Sequence, residues 1–425
     1  MDGPDGTLTQ FSEWVGSRRP APCAARRLRL RELRNWRVDA RGNLRHASGR
    51  FFAVRGLRVG TGGDLRARDG WDQPILDQPE IGILGLLCQR RAGVLSFLVR
   101  AKSEPGNVGG AQLSPTLQAT WSNYHRVHGG RTPPYLDEFL RPSGTVHVDQ
   151  LQPEQGSRFL GKHNRNVVVQ LPDDRDLPVQ DGFLWCTLGQ LRVALRQPNV
   201  VNAECRSVLA CLPDATDEPV TAKSDSEIGS WLDEAARRRR ITVQPCDVDE
   251  LRDWAVDEWS ISAPGGPFEV VGIRAHVTGR GVTTWDQPLL QPTTTGVVGF
   301  LTRVEHGVLH LLVQARTEAG AGRPTLGPTV QTSDPGALVG GARTPYLGWL
   351  QPTAAGAERY RALQSEEGGR FLWEQHLHVV VDVGGATVPV EEPYRWLPVN
   401  QVRSLVRQGQ VSSQARSLLA CVDAC

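Results

Sequence analysis

Lysine is almost missing from this chain. Only Lys102, Lys162 and Lys223 stand against 45 arginines in 425 residues. Where arginine serves almost every cationic need, a surviving lysine hints at a specific one. Other scarcities exclude whole classes. No apolar run approaches the roughly 18–20 residues that a membrane-spanning helix needs. The first ten residues, MDGPDGTLTQ, have neither a basic nor an apolar stretch, so no secretion signal is expected and a cytoplasmic protein is. The eight cysteines form no CxxC pair, which fits reduced thiols. Basic and acidic residues number 48 and 46, so no general footprint for nucleic acid exists. Neither a P-loop nor a GxSxG elbow occurs. GTGGDL (60–65) lacks the third glycine of a dinucleotide fingerprint. His125 with His128, and His376 with His378, lack a third ligand at plausible spacing, so no metal and no cofactor are expected.

What is present is a tandem repeat. WDQP occurs at 71–74 and 285–288. GVLSFLVRAKSEPG (93–106) matches GVLHLLVQARTEAG (307–320), and QLSPTLQAT (112–120) matches TLGPTVQTS (325–333). QGSRFLGKHNRNVVV (155–169) matches EGGRFLWEQHLHVVV (367–381), and AECRSVLACL (203–212) matches SQARSLLACV (413–422). The order is conserved between the halves and the offset stays between 210 and 214 residues. One domain of about 200 residues has been duplicated. The expected division is 1–212, a linker over 213–227, and 228–425. Within a repeat, 28–36 reads as a short helix and 50–59 as a strand. The runs 81–88 and 94–102 read as a hairpin and 166–171 as a further strand. The runs 188–197 and 203–212 read as helices. Strands precede helices, which predicts an α+β fold.

Candidate chemistry gathers in the first repeat. Over 112–121 the alternation puts Gln112, Ser114, Thr116 and Gln118 on one face. Either an ordinary half-buried strand or the polar wall of a sugar pocket fits that pattern. Lys102 and Glu104 share a face at a strand end and are followed by a Pro-Gly turn and Asn107. They read as solvated strand-end residues or as an acid/base pair at a cleft rim. Lys162, His163, Asn164 and Arg165 precede a valine-rich strand, as a surface loop or as a diphosphate cradle. Asn202 is well suited to cap a helix, a role compatible with an anion contact. Arg206 recurs as Arg416, which suits structure and function alike. The second repeat has ARTEAGA for AKSEPGN, TSDPGALVGG for ATWSNYHRVHGG, and EQHLH for KHNRN. It keeps the apolar framework and loses amides, a phenol and cations. The active site is therefore expected in repeat one, with a degenerate pocket in repeat two.

In their order these blocks resemble the NDP-hexose 2,3-dehydratases of deoxysugar biosynthesis, over nearly the whole chain. The resemblance implies a tandem Nudix-like fold without the metal-binding Nudix box. RELRNW (31–36) starts like that box but lacks its paired glutamates. It also implies a homodimer and a TDP-4-keto-6-deoxy-glucose substrate that loses water across C2 and C3. A 3-ketoreductase would take the diketo product. Such chemistry needs a base near C3, an enolate-stabilising donor and an acid for the C2 hydroxyl. Glu104, Tyr124, Lys102 and His163 are the candidates. Glu104 or Tyr124 would handle protons, and Lys102 or Asn123 would face the enolate oxygen. Lys162, Arg165 and Arg206 are candidates for the diphosphate. Trp71, beside Gln73, either stacks on thymine or anchors the core. The competing readings are a non-catalytic nucleotide-sugar-binding scaffold and, less in keeping with the missing box, a diphosphate hydrolase.

Overall fold

The computed structural model describes residues 7–19, 23–67, 69–124, 132–213, 224–277, 284–336, 344–351 and 356–422. His125 and His128 lie outside the described residues.

Each repeat is built on a seven-stranded mixed sheet. In the first, the central strands Gly82–Arg91 and Val94–Lys102 form the expected hairpin. Ala92 and Gly93 both have positive φ, 47° and 81°. Positive φ at both central residues is the primed turn that matches the twist of paired strands. His306 and Gly307 repeat it in the second half. His163–Gln170 pairs parallel with Gly82–Arg91, and Thr145–Pro153 and Phe183–Thr187 complete the edges. Strand alternation sends Leu84, Leu86 and Val168 to one face, and Leu87, Val167 and Val169 to the other. The helices Leu188–Leu195 and Ala203–Leu209 close the repeat as the periodicity predicts. The architecture is α+β with two similar sheet-rich halves.

The first of those faces is shared. Val201, Val208 and Leu209 of repeat one pack in one core with Val411, Leu418 and Leu419 of repeat two. The helices Ala203–Leu209 and Ser413–Val422 meet there. Arg206 Nε donates to Ser417 Oγ at 2.7 Å, and Arg416 Nε donates to Ser207 Oγ at 3.2 Å.

The smaller sheets interlock the repeats further. Cys23–Leu28 of repeat one pairs antiparallel with Phe268–Val277 of repeat two. Ile241–Cys246 of repeat two pairs with Ala53–Thr61 of repeat one. Each half therefore lends the other its first strand.

Two local expectations change. The run 28–36 is not a helix: it holds the end of that exchanged strand and a single 3₁₀ turn, Leu30–Glu32. Its leucines at 28, 30 and 33 are buried because they fill the small-sheet core. The expected linker 213–227 ends sooner than the sequence implied. Ser224 caps a helix over Asp225–Arg238 and Glu227 completes the capping box. No helix among the described residues is long and apolar enough to cross a membrane.

Candidate active site

A row of carboxyl groups lies where the Val94–Lys102 strand ends. Beyond Lys102 the chain turns sharply, held by Asn107, whose backbone N–H donates to Glu104 O at 3.1 Å and whose amide donates to Lys102 O at 3.1 Å. The turn folds Glu104 back onto Lys102, with Nζ 2.8 Å from Oε1 and both side chains 11% exposed. Gln118, from the neighbouring Leu117–Ala119 strand, bridges two acids with one nitrogen. Its Nε2 donates to Glu104 Oε2 at 3.3 Å and to Glu204 Oε1 at 2.6 Å. Gln118 Oε1 in turn accepts from Asn202 Nδ2 at 3.1 Å, while Asn202 Oδ1 caps the following helix by accepting from Cys205 N–H at 2.9 Å. Glu204 is buried, and its Oε2 has no hydrogen-bond partner among the described residues. Burial, reinforced by Glu104 and Glu367, raises the Glu204 carboxyl well above the usual carboxylate range. Its carboxyl group is therefore harder to ionise than an exposed one. Glu104, paired with a lysine, and Glu204, buried with one oxygen unpartnered among the described residues, are two acids in unlike environments, a pattern common where proton transfer occurs.

The fourth side of this site comes from the other repeat. Gly106 N–H donates to Gly368 O at 2.8 Å, and Trp373 N–H donates to Gly106 O at 2.9 Å. A Cβ on Gly368 would overlap Asn107, so glycine is required for this approach. The contact brings Glu367 to Glu104 and Glu204.

The second repeat has the same construction with different chemistry. Glu318 stands where repeat one has Glu104, accepting from Arg316 at 3.2 Å, Gln331 at 3.0 Å and the backbone of Gly156 at 2.9 Å. A cavity of about 80 Å³ remains there, walled by Gln155, Arg158, Arg316, Gln331, His376 and Gln414 among others. By the repeat register Gln414 replaces Glu204 and Gln155 replaces Glu367. Two of three acids have become amides.

A family model for the NDP-hexose 2,3-dehydratases matches residues 8–212 and 225–422. The chain belongs to that family. A dTDP-4-dehydro-6-deoxy-alpha-D-glucopyranose 2,3-dehydratase from Streptomyces violaceoruber is 41% identical over 92% of this chain and 91% of its own length. One of the same name from Amycolatopsis orientalis is 38% identical over 100% of this chain and 92% of its own length. Among solved structures, a Nudix hydrolase from M. smegmatis aligns with 30% of this chain and 81% of its own, at 16% identity and a TM-score of 0.21.

Within this NDP-hexose 2,3-dehydratase fold, the residues singled out from sequence fall into three groups. Lys102, Glu104, Asn107, Gln118 and Asn202 come together, as described. A second group lies near the start of the Gly82–Arg91 strand. Lys162 is buried and gives its ammonium to Glu80 O, to Asn164 Oδ1 at 3.0 Å and to His163 O at 3.4 Å. Burial lowers its pKa. Asn164 uses its own amide on Glu154 Oε1 at 2.6 Å. Strand alternation turns His163 and Arg165 to the face opposite Asn164. His163 Nδ1 lies 3.0 Å from Gly161 O, and Arg165 grips Asp149 with two 2.7 Å bonds. Tyr124 is half-buried with its hydroxyl 3.5 Å from Ile81 O; burial and then Glu80 raise its pKa. Asn123 is exposed beside it.

The third group is structural. Pro115 interrupts the alternation, so 112–120 forms two short strands on different partners. Gln112 therefore accepts from Ser365 Oγ at 2.9 Å, Ser114 donates to Pro115 O at 3.0 Å, and Thr116 ties Leu87 to Leu98. All three are buried. Arg206 is fully buried, with its guanidinium on Ser417, Val201 O, Gln364 and Ser365 O. Those bonds leave it no open face for a diphosphate. Gln73 donates to Ser157 O at 2.8 Å and accepts from Trp71 Nε1 at 2.9 Å. Ser157 lines the second repeat's cavity, so this pair shapes that side of the molecule. Trp71 is 41% exposed and is no core anchor.

Sequence reading passed over Glu204 and Glu367. Glu204 was visible only as an acid in a helix's first turn. The register of the repeats, read residue by residue, pairs each with a glutamine and would have marked both.

Proposed function

We propose that this protein removes water across C2 and C3 of TDP-4-keto-6-deoxy-glucose, giving a 3,4-diketo-2,6-dideoxy sugar. The observation that carries the reading is the Lys102–Glu104–Gln118–Glu204 row, whose second-repeat counterpart keeps one acid. The relatives' names support the substrate. Its C4 carbonyl acidifies the C3 hydrogen. Glu104 takes that proton, and Lys102, on the same carboxylate, steadies the charge gathering on the C4 oxygen. The electron pair then forms C2=C3 as the C2 hydroxyl departs, and the resulting enol tautomerises to the diketone. Catalysis belongs to repeat one. The protein works in the cytoplasm as a homodimer, and a 3-ketoreductase consumes the product.

The test is incubation of purified, chelator-treated protein with TDP-4-keto-6-deoxy-glucose, a 3-ketoreductase and NADPH, followed by mass spectrometry. Loss of one water followed by reduction is expected. Substrate that binds unchanged would favour the scaffold reading, and release of TMP would mean a hydrolase.

A further inference from the structure

The dehydration chemistry above requires a proton for the departing C2 hydroxyl, and the two acids bridged by Gln118 are not well placed to give it. Glu104 is the base, and Glu204 is sealed behind Gln118. A third carboxyl group arrives from the other half of the chain. Glu367 lies in the 366–370 segment, which is pinned to the Glu104 turn by Gly106 and Trp373. An imagined Cβ on Gly369 would sit 3.2 Å from Glu104 Oε1 and 3.3 Å from Glu367 Oε1, so the two oxygens flank one point. Glu367 also keeps accessible surface between buried Glu366 and buried Gly368.

The second repeat supplies the comparison. Its counterpart position is Gln155, which the first repeat sends across to the second cavity. The exchange is thus reciprocal in architecture and unequal in chemistry. An amide can occupy the place of a neutral carboxyl group but has no acidic proton to give.

We propose that Glu367, delivered in cis by the second repeat, is the proton donor to the C2 hydroxyl at the first repeat's site. The inference rests on the dehydratase reading. The Glu367 O–H bond breaks and its proton joins the C2 hydroxyl oxygen. The C2–O bond breaks with its electron pair leaving as water. The pair from the C3–H bond, whose proton Glu104 has taken, becomes C2=C3. Glu367 is left as a carboxylate and regains a proton from solvent. Burial pushes the Glu367 carboxyl up to about 7, with Glu154 and Glu104 raising it and Arg370 and Lys162 opposing them. Glu204 faces the same group. A donor poised near neutrality suits general acid catalysis. The second repeat, whose own cavity has Gln414 and Gln155 where the first site has Glu204 and Glu367, is then retained for what it gives the first.

The experiment follows two events in the full chain with TDP-4-keto-6-deoxy-glucose in D₂O: deuterium entry at C3 and loss of water. Glu367→Gln is expected to lower dehydration by about 10²–10⁴-fold while C3 exchange and substrate KM persist. Glu104→Gln is expected to lose both events. Wild-type kcat is expected to fall as pH rises through about 7, and Glu367→Gln to lack that limb. Glu367→Asp, which keeps an acid, is expected to recover part of the rate. Dehydration by Glu367→Gln at the wild-type rate would overturn the assignment and leave the dehydratase reading intact. Loss of exchange and dehydration together in Glu367→Gln would also overturn it, by showing a structural role. A wild-type protein that performs neither event would remove both readings.

Discussion

Arg252 of the second repeat sets its guanidinium across Asp72 of the first, Nε 3.1 Å from Oδ2 and Nη2 2.8 Å from Oδ1. Arg34 of the first repeat meets Asp286 of the second in the same way, with its backbone N–H 2.9 Å and its Nε 3.3 Å from Oδ2. Both aspartates belong to the WDQP motifs, and both carboxylates are fully enclosed. These motifs, conspicuous in the sequence, strap each exchanged segment to the sheet it visits.

The straps carry a pH signature. Despite the cost of burial, its bonds with Arg274 and Arg34 hold the Asp286 carboxyl at about 2, against 3.8 ordinarily. A carboxyl group lowered in the folded state stabilises the fold fully above its unfolded value and loses that contribution as pH falls. The Asp286 contribution should therefore be complete above about pH 4 and should fade towards pH 2. Asp286→Asn should cost about 1.5–3 kcal/mol near neutrality, nearer the low end because the Arg34 side chain is 57% exposed. The gap from wild type in denaturant midpoint should narrow as the solution is acidified.

The inequality of the repeats is testable by matched substitutions. Glu104→Gln should lower kcat for dehydration by about 10²–10⁴-fold. Glu318→Gln, at the corresponding place in repeat two, should leave kcat within a few fold of wild type. Equal losses from the two variants would mean that catalysis is not confined to repeat one.

Loop approach depends on glycine. Gly368→Ala should drive the 366–370 segment off Asn107 and reduce kcat by about 10²-fold, because a displacement of about 1 Å is enough for such a loss. Gly385→Ala, where an added Cβ meets nothing within 4 Å, should behave as wild type. Steady-state rates of the two variants decide the matter.

Arg206 separates architecture from recognition. Arg206→Met would strand Ser417, Val201 O and Ser365 O in the shared core. The expected outcome is a loss of at least about 3 kcal/mol in unfolding free energy. KM of the protein that remains folded should be unchanged. A raised KM with unaltered stability would return Arg206 to the diphosphate.

Much of this was legible in the residues. The duplication, the central hairpin, the closing helices and the Lys102–Glu104 pair follow from local pattern and register. The strand exchange was not, because periodicity in 23–28 says which side chains are buried and nothing about whose sheet buries them. Arg206 shows the same limit. A buried arginine and a phosphate-binding arginine carry the same letter, and only the carbonyls around it separate them. Glu204 escaped notice because an acid in a helix's first turn has a sufficient local reason to be there. Glu367 is hard to see in the sequence because it belongs to the half whose motifs have lost their amides, phenol and cations.

The exchanged strands also govern what a cut chain would do. A protease nick between the two repeats would not release two independent proteins. Each fragment would still hold the Cys23–Leu28 or Ile241–Cys246 strand of the other, and a common core would lie between them. The fragments should migrate together on a sizing column until denatured. Expressed alone, either fragment would present a bare sheet edge and half of a core, and would be prone to aggregate.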